Sequence, residues 1–403
     1  MDLTKGLDDL VAVALVAALA PLVVAMLPGP RIPQVVIFLL GGVLIGPHVL
    51  GFAETSSIQL LANIGLGFLF LLAGYELDPR LLRQQPGRLA IGGWLMSAAI
   101  AVGVAAGLTA AGYIRDYVPV GLALTTTALG TLLPILRDNG MLGGEFGRHV
   151  FAAGAVGELF PILIIAVFLG QRGSFVALAS VALVGALALA LTIVPRLARS
   201  AAMQRIVTEG QDSTGQITLR WSMVLLFALL AVASRFGLDV VLGAVLAGMV
   251  LRGWTQHLNM DTASLEHKFD AVGYGLFIPI FFISSGMSFD LKSVSQDPLR
   301  LLIFFVLLIV VRGLPSLLVY RRALAPVQRL EMTFITATSL PLLIALAAVG
   351  EQDGVMLPAT AASLIGAGVL SVLVFPLIAV GLHRRAVLTP ADVGMTAEET
   401  PQA

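Results

Sequence analysis

Apolar stretches of about 20 residues recur along this chain from residue 8 to residue 382. An α-helix needs a stretch of that length to cross the hydrocarbon core of a membrane. Only 12% of the 403 residues are charged, whereas a soluble domain has about 25%. The sequence therefore predicts an all-α polytopic membrane protein with about 13 transmembrane helices. The predicted spans lie near residues 8–27, 33–50, 58–76, 89–112, 117–136, 149–170, 174–195, 219–236, 239–252, 268–287, 299–320, 330–349 and 355–382.

The composition also argues against several classes of function. Cysteine is absent and the five histidines fall at span ends or in loops, so we expect no disulfide, no thiol chemistry and no resident metal or cofactor. A formal net charge of zero argues against a nucleic-acid partner. No Ser/His, Cys/His or His/Glu constellation reaches membrane depth, so the chain is not expected to be an enzyme.

The basic residues predict the orientation in the membrane. Of the 24 Lys and Arg residues, 17 fall in one set of alternate loops, 6 in the other and Arg312 inside a span. Because basic loops stay in the cytoplasm, the N-terminus is predicted outside and the C-terminus inside, in a plasma or inner membrane. The six residues on the outer side are Lys5, Arg115, Arg172, Arg235, Lys292 and Arg300.

Two segments of the first half reappear in the second half in the same order. Phe68 to Asp78 resembles Ile280 to Asp290, and Leu40 to Gly46 resembles Leu242 to Gly248. The seventh span lies between the copies, so the second copy enters the membrane from the opposite side. Inverted repeats are typical of secondary transporters, although apolar segments can also resemble one another by chance. We predict a transmembrane domain 1–385 with repeats at about 8–170 and 219–383, and a short cytoplasmic tail 386–403.

Clustered hydroxyl residues followed by a proline occur at matching positions in the fifth and twelfth spans. A proline removes one helix hydrogen bond, and transporter sites are often lined by paired, interrupted helices. The alternative is that these hydroxyls bond to carbonyls of their own helix. We therefore predict a pair of discontinuous, crossing helices. The residues predicted to line the breaks are Thr125, Thr126, Thr127 and Pro134 in the fifth span and Thr338, Ser339 and Pro341 in the twelfth.

Glu158 is an acidic residue at about the middle of the sixth span, with glycines at 154 and 157. A carboxylate at that depth is costly to keep charged and usually belongs to an ion or proton pathway. The alternative is a protonated glutamate that makes a structural hydrogen bond. We predict that Glu158 binds an ion or a proton.

Arg312 is the other charge well inside a span. A guanidinium cannot lose its proton, so it needs a partner or a wet cavity. Snorkelling to the cytoplasmic side is the alternative, but about eight residues, roughly 12 Å of helix, separate Arg312 from the end of the span. We predict a charge-compensating role, and the sequence leaves open whether Glu158 is its partner.

Four short motifs resemble, in order and spacing, the signatures of the monovalent cation:proton antiporter-2 family. This family belongs to the sodium/hydrogen exchanger superfamily and includes Kef-type potassium efflux proteins. The resemblance covers about residues 8–383. The motifs are Gly41 to Pro47, Ala73 to Asp78, Thr126 to Ala128 and Pro279 to Gly286.

The resemblance implies a membrane antiporter, commonly dimeric, whose ion site includes an acid at Glu158 and a Lys or Arg at 312. The family usually carries Asp, Asn or Gln before the acid, whereas this chain has Gly157. It also has Leu340-Pro341 where a Gly-containing turn is usual. These departures affect the residues closest to the ion.

The expected function is exchange of Na⁺ or K⁺ for H⁺, with Glu158 binding cation and proton alternately. Thr126 and Thr127 are the expected further ligands, beside Gly157. With one carboxylate in the core, the exchange is expected to be electroneutral. A channel-like cation efflux protein and an ion-coupled solute symporter are the alternatives. The expected partners are the two ions, membrane lipid and a second copy of the chain.

Overall fold

The computed structural model describes residues 3–26, 33–76, 79–115, 117–168, 174–197, 216–236, 238, 240–258, 262–289, 291–352 and 354–388. Most of the predicted tail, residues 389–403, lies outside this described part. All regular secondary structure of the described residues is helical, which confirms the all-α prediction. Nine helices of the described part are long and apolar enough to cross a membrane, and shorter apolar helices accompany them.

The chain forms two compact units. Unit 1 comprises Met1–Arg80 and Glu158–Lys292, and unit 2 comprises Leu81–Gly157 and Ser293–Ala403. The boundary between Gly157 and Glu158 falls inside one continuous helix, Gly144–Phe168, which we call the glutamate helix.

Unit 1 is held together by glycines that let helices approach backbone to backbone. A Cβ atom placed on Gly42 would lie 2.0 Å from the carbonyl oxygen of Ile283, and one on Gly74 would lie 2.1 Å from that of Val245. Such contacts are how helices pack where lipid supplies no hydrophobic drive. The helices of unit 1, besides the end of the glutamate helix, are Leu3–Met26, Gln34–Ile45, Thr55–Glu76, the start of Pro79–Arg83, Ser174–Leu197, Ile217–Arg235, Val240–Leu258, Thr262–Val272, the π-helical turn Gly273–Phe277, Ile278–Met287 and the start of Leu291–Gln296.

Unit 2 contains two interrupted helices. The first broken helix consists of Tyr117–Leu124 and Leu129–Asp138, and the second of Pro326–Ala337 and Pro341–Gln352. The other helices are Gln85–Ala110, the arginine helix Pro298–Val319 with its π-helical turn Leu308–Gly313, and the last helix Pro358–Leu388.

Local hydrogen bonds explain where the first broken helix is interrupted. Thr125 Oγ1 donates to the Leu122 carbonyl and Thr126 Oγ1 to the Ala123 carbonyl, at 2.8 and 2.7 Å, so two side chains cap the last turn. Residues 125–128 then leave the helix. Pro134 was predicted to mark this break, but it lies inside the following helix, and the threonines end the first half.

The second broken helix is interrupted at residues 338–340, directly before Pro341. A proline disfavours helical backbone in the residue before it and needs no partner for its nitrogen at the start of a helix. Thr338 Oγ1 also donates to the Phe334 carbonyl at 2.9 Å. Thr338 and Ser339 thus lie in the break, and Pro341 begins the following helix.

Candidate functional site

The two breaks meet within unit 2. The Ala128 N–H donates to the Thr338 carbonyl at 2.8 Å, and Thr127 Oγ1 donates to the Thr336 carbonyl at 2.8 Å. The hydroxyls of Thr126 and Ser339 hydrogen-bond to each other. Interrupted backbone is costly in a membrane unless its polar groups are satisfied inside the protein. The polar groups of each break thus form hydrogen bonds with polar groups of the other.

Ser371 on the last helix completes the second break, and sequence reasoning missed it. Its hydroxyl accepts from the Ser339 N–H at 3.0 Å, and it lies 2.7 Å from the Gly368 carbonyl and 3.0 Å from the Ser339 carbonyl. A signal was present: Ser371 follows Glu158 by the same 213 residues that separate Thr126 from Ser339.

Arg312 is buried in unit 2, with 2% of its surface exposed. Its Nε donates to Thr127 Oγ1 at 2.9 Å and its Nη2 to the Ala153 carbonyl at 3.0 Å. The guanidinium thereby joins the arginine helix to the first break and to the glutamate helix. This inward placement disfavours the snorkelling alternative.

The π-helical turn of the arginine helix changes the hydrogen bonding around Arg312. The Leu314 N–H donates to the Ile309 carbonyl at 2.8 Å, five residues back. The Arg312 carbonyl also accepts from Thr336 Oγ1 at 3.2 Å. Such π turns are frequent at functional sites because they leave backbone groups available. Both the backbone and the side chain of Arg312 thus contact a broken helix.

Gly157 lies against the same cluster. Its carbonyl accepts from the Thr127 N–H at 3.3 Å. A Cβ atom placed on Gly157 would lie 2.6 Å from Thr127 Oγ1 and 2.8 Å from Arg312 Nη2. A side chain at this position would therefore collide with Thr127 and Arg312 unless they moved.

Glu158 follows Gly157 directly in the glutamate helix and is 8% exposed. The glutamate helix is fixed in unit 2 by Gly154, where a Cβ atom would lie 2.6 Å from the Leu129 side chain. Pro161 lies inside the helix, which continues to Phe168. The carboxylate of Glu158 thus belongs to the residue directly after Gly157, whose backbone carbonyl is hydrogen-bonded to Thr127 in the first break.

Glu331 is a second buried acid. It lies near the start of the predicted span 330–349, and its side chain is 1% exposed. Its Oε2 lies 3.3 Å from His383 Nδ1 on the last helix. Burial here depends on which helix packs beside it, which hydropathy does not report.

The fold and the crossed breaks define a class of protein. Helices interrupted at membrane depth, meeting at polar breaks beside buried charges, are characteristic of ion-coupled secondary transporters. The family described as "Sodium/hydrogen exchanger, transmembrane" matches residues 12–382, and the chain belongs to this family.

Two curated relatives and one solved structure show the range of the similarity. The putative Na(+)/H(+) antiporter YjbQ of Bacillus subtilis is 26% identical over 403 residues, covering 94% of this chain and 63% of that protein. The glutathione-regulated potassium-efflux system protein KefC of Klebsiella aerogenes is 28% identical over 282 residues, covering 67% of this chain and 43% of that protein. The chain thus spans less than two thirds of the length of these relatives.

The sodium proton antiporter MjNhaP1 of Methanocaldococcus jannaschii shares the fold. The TM-score is 0.64 at 16% sequence identity, over 96% of this chain and 98% of that one. The likeness extends over nearly the whole of both chains, so the predicted antiporter-type fold is confirmed.

Proposed function

We propose that this chain is a secondary active transporter that exchanges Na⁺ or K⁺ for H⁺ across a membrane. The observation that carries the proposal is the position of Glu158: a buried carboxylate in the residue after Gly157, whose carbonyl bonds to the first break. The names of the relatives support the same ions.

The chemistry needs one titratable oxygen group. Alkali cations favour hard oxygen ligands, which the Glu158 carboxylate and the hydroxyls of Thr126 and Thr127 supply. A proton and a cation compete for the same carboxylate, so only one is bound at a time. If the transporter changes its facing state only when Glu158 is occupied, this competition is antiport.

The one carboxylate of the proposed ion site sets the stoichiometry that we propose. Gly157 contributes no second acid, and Arg312 keeps its charge at all physiological pH values. Glu158 therefore takes up either one proton or one monovalent cation, each of charge +1. Exchanging them one for one moves no net charge, so the transport is electroneutral.

Arg312 is proposed as a fixed charge that compensates Glu158 in the empty site. Desolvated charges in a membrane protein need a partner, and the guanidinium is held by Thr127 and Ala153. The relatives named as antiporters give the exchange more support than a symporter of anionic solutes.

The proposed setting is a plasma or inner membrane, with the N-terminus outside and the C-terminus in the cytoplasm. The asymmetry of the basic residues between alternate loops supports this orientation. A homodimer surrounded by lipid is proposed from the resemblance to the family.

Flux measurements on the reconstituted protein test the proposal. Proteoliposomes with an internal pH dye should show proton efflux when Li⁺, Na⁺, K⁺ or Rb⁺ is added, at a rate that an imposed voltage does not change. Glu158→Gln should abolish the exchange, and Glu158→Asp should retain part of it. Unchanged exchange in Glu158→Gln would refute the site, and voltage-driven exchange would refute electroneutrality. Cation current without proton flux would instead indicate a channel.

A further inference from the structure

Glu331 and His383 form a polar pair in unit 2 that the proposed exchange mechanism does not use. Glu331 lies in the first half of the second broken helix, seven residues before Thr338. His383 lies near the end of the last helix, and its Nδ1 is 3.3 Å from Glu331 Oε2. The pair therefore joins one half of a broken helix to the helix that carries Ser371.

The carboxylate of Glu331 is incompletely satisfied. Its Oε1 is buried and has no hydrogen-bond partner among the described residues. A buried anion whose second oxygen lacks a partner costs several kcal/mol unless a proton or a cation neutralises it. His383 can supply that proton, because imidazole is the side chain that titrates near neutral pH.

His383 is also placed to exchange its proton with water. Its side chain is 25% exposed, in contrast to that of Glu331. One face of the ring stacks on Phe146 of the glutamate helix, with centroids 6.4 Å apart and planes 20° apart. The imidazole thus connects a buried carboxylate with the surface of the described part.

We propose that Glu331 and His383 together bind one proton, at a site separate from Glu158, and that losing this proton releases the first half of the second broken helix from the last helix. With the proton bound, the pair is neutral overall and burial is tolerated. Without it, Glu331 is an anion beside a neutral imidazole, and a conformation that hydrates the carboxylate becomes favoured.

Groups on the other elements packed against this helix half do not take over the role of His383. The arginine helix contributes Arg312, which bonds to Thr127 and Ala153, and it is followed by Tyr320, whose ring packs edge-on against His149. On the helix half itself, Arg329 donates to the Leu317 carbonyl. The last helix adds Arg384, which donates to Asn139, and Arg385. Among the described residues, His383 alone forms an ion pair with Glu331.

The geometry of the second break explains why the release matters. Ser371 ties Ser339 to the last helix, and His383 ties Glu331 to the same helix further along. Breaking the outer tie leaves the bonds between Ser339 and Ser371 as the polar tie to the last helix, while Arg329 still bonds to the Leu317 carbonyl. The proton site is inferred from the geometry of Glu331 and His383 alone. Its control over cation/proton exchange rests on the proposed antiport. If both hold, the rate of cation/proton exchange should rise as the pH rises and the pair loses its proton.

The first test is a titration that does not depend on transport. In full-length protein with ¹³C-labelled histidine in nanodiscs, His383→Gln identifies the His383 signal among the five histidines. Glu331→Gln should move the pH midpoint of the His383 signal, because it removes the carboxylate that lies 3.3 Å from the imidazole. Glu351→Gln, a change of an exposed acid at the other end of the same span, should leave it unchanged. An unmoved midpoint in Glu331→Gln would show that the two side chains share no proton.

The second test measures the release itself. Hydrogen exchange of residues 326–337, corrected for intrinsic rates, should speed up by about tenfold between roughly pH 6 and pH 9 in the wild type. Glu331→Gln should make this exchange independent of pH. If the His383 midpoint moves but the helix half exchanges at the same rate at every pH, the proton does not control release. Should proteoliposomes show no antiport, these two measurements still decide the proton site.

Discussion

Arg312 Nη2 lies 2.8 Å from the point where Gly157 would carry a Cβ atom, and Thr127 Oγ1 lies 2.6 Å from it. The guanidinium and the threonine together fill the space in front of this residue. The glycine before the candidate ion-binding acid is therefore a packing requirement of the cluster.

Gly157→Ala should destabilise the protein. The added methyl group would also meet Thr127 Cβ at 2.7 Å, so the glutamate helix and the first break must move apart. Overpacking of this kind costs about 1–3 kcal/mol. Thermal unfolding of the purified protein measures the effect. Gly92→Ala is the control, because Gly92 is helical with nothing within 4 Å of an added Cβ. An equal melting temperature for both variants would contradict the packing requirement.

Arg312→Lys should keep the charge and lose stability. Arg312 donates through Nε to Thr127 in the first break and through Nη2 to the Ala153 carbonyl on the glutamate helix. One lysine ammonium group cannot reproduce the planar geometry of these two bonds. Losing one buried hydrogen bond to a charged group costs about 1.5–3 kcal/mol. Arg300→Lys is the control in the same helix, where Arg300 pairs with partly exposed Asp297. A loss of stability as small as that of Arg300→Lys would show that the two hydrogen bonds of Arg312 are not needed for stability.

Thr126 and Ser339 should be energetically coupled across the two breaks. Their hydroxyls bond to each other although 213 residues separate them. A double-mutant cycle with Thr126→Ala and Ser339→Ala should give a coupling energy of about 0.5–3 kcal/mol. Thr109 bonds only within its own helix, so Thr109→Ala with Ser339→Ala should be additive. Additivity in the Thr126 cycle as well would indicate that the crossing contributes no stability.

Ser371→Ala should weaken the second break. Removing the hydroxyl leaves the buried N–H of Ser339 without the acceptor at 3.0 Å. An unsatisfied buried backbone group costs about 1–3 kcal/mol. Ser363→Ala is a matched control, since Ser363 is buried on the same helix and bonds to the carbonyl of Ala359 four residues back. Equal melting temperatures for the two variants would show that Ser371 does not stabilise the second break.

Much of the fold could be predicted because it depends on local sequence. Membrane-spanning helices follow from runs of apolar residues, since a bilayer accepts only backbone that satisfies its own hydrogen bonds. The position of the second break was likewise predictable, because Pro341 restricts the residue before it. Pro134 misled the prediction of the first break, where the hydroxyls of Thr125 and Thr126 cap the helix end instead.

The sequence by itself thus determined the helical membrane class, the position of the second break and the two charged residues within apolar runs, Glu158 and Arg312. Only the tertiary structure decided that Arg312 bonds to Thr127, that Ser371 completes a break and that Glu331 is buried against His383. Hydropathy records how well each residue suits a membrane. It does not record which residue from a distant part of the chain packs beside it, and that neighbour decides whether a polar group is satisfied.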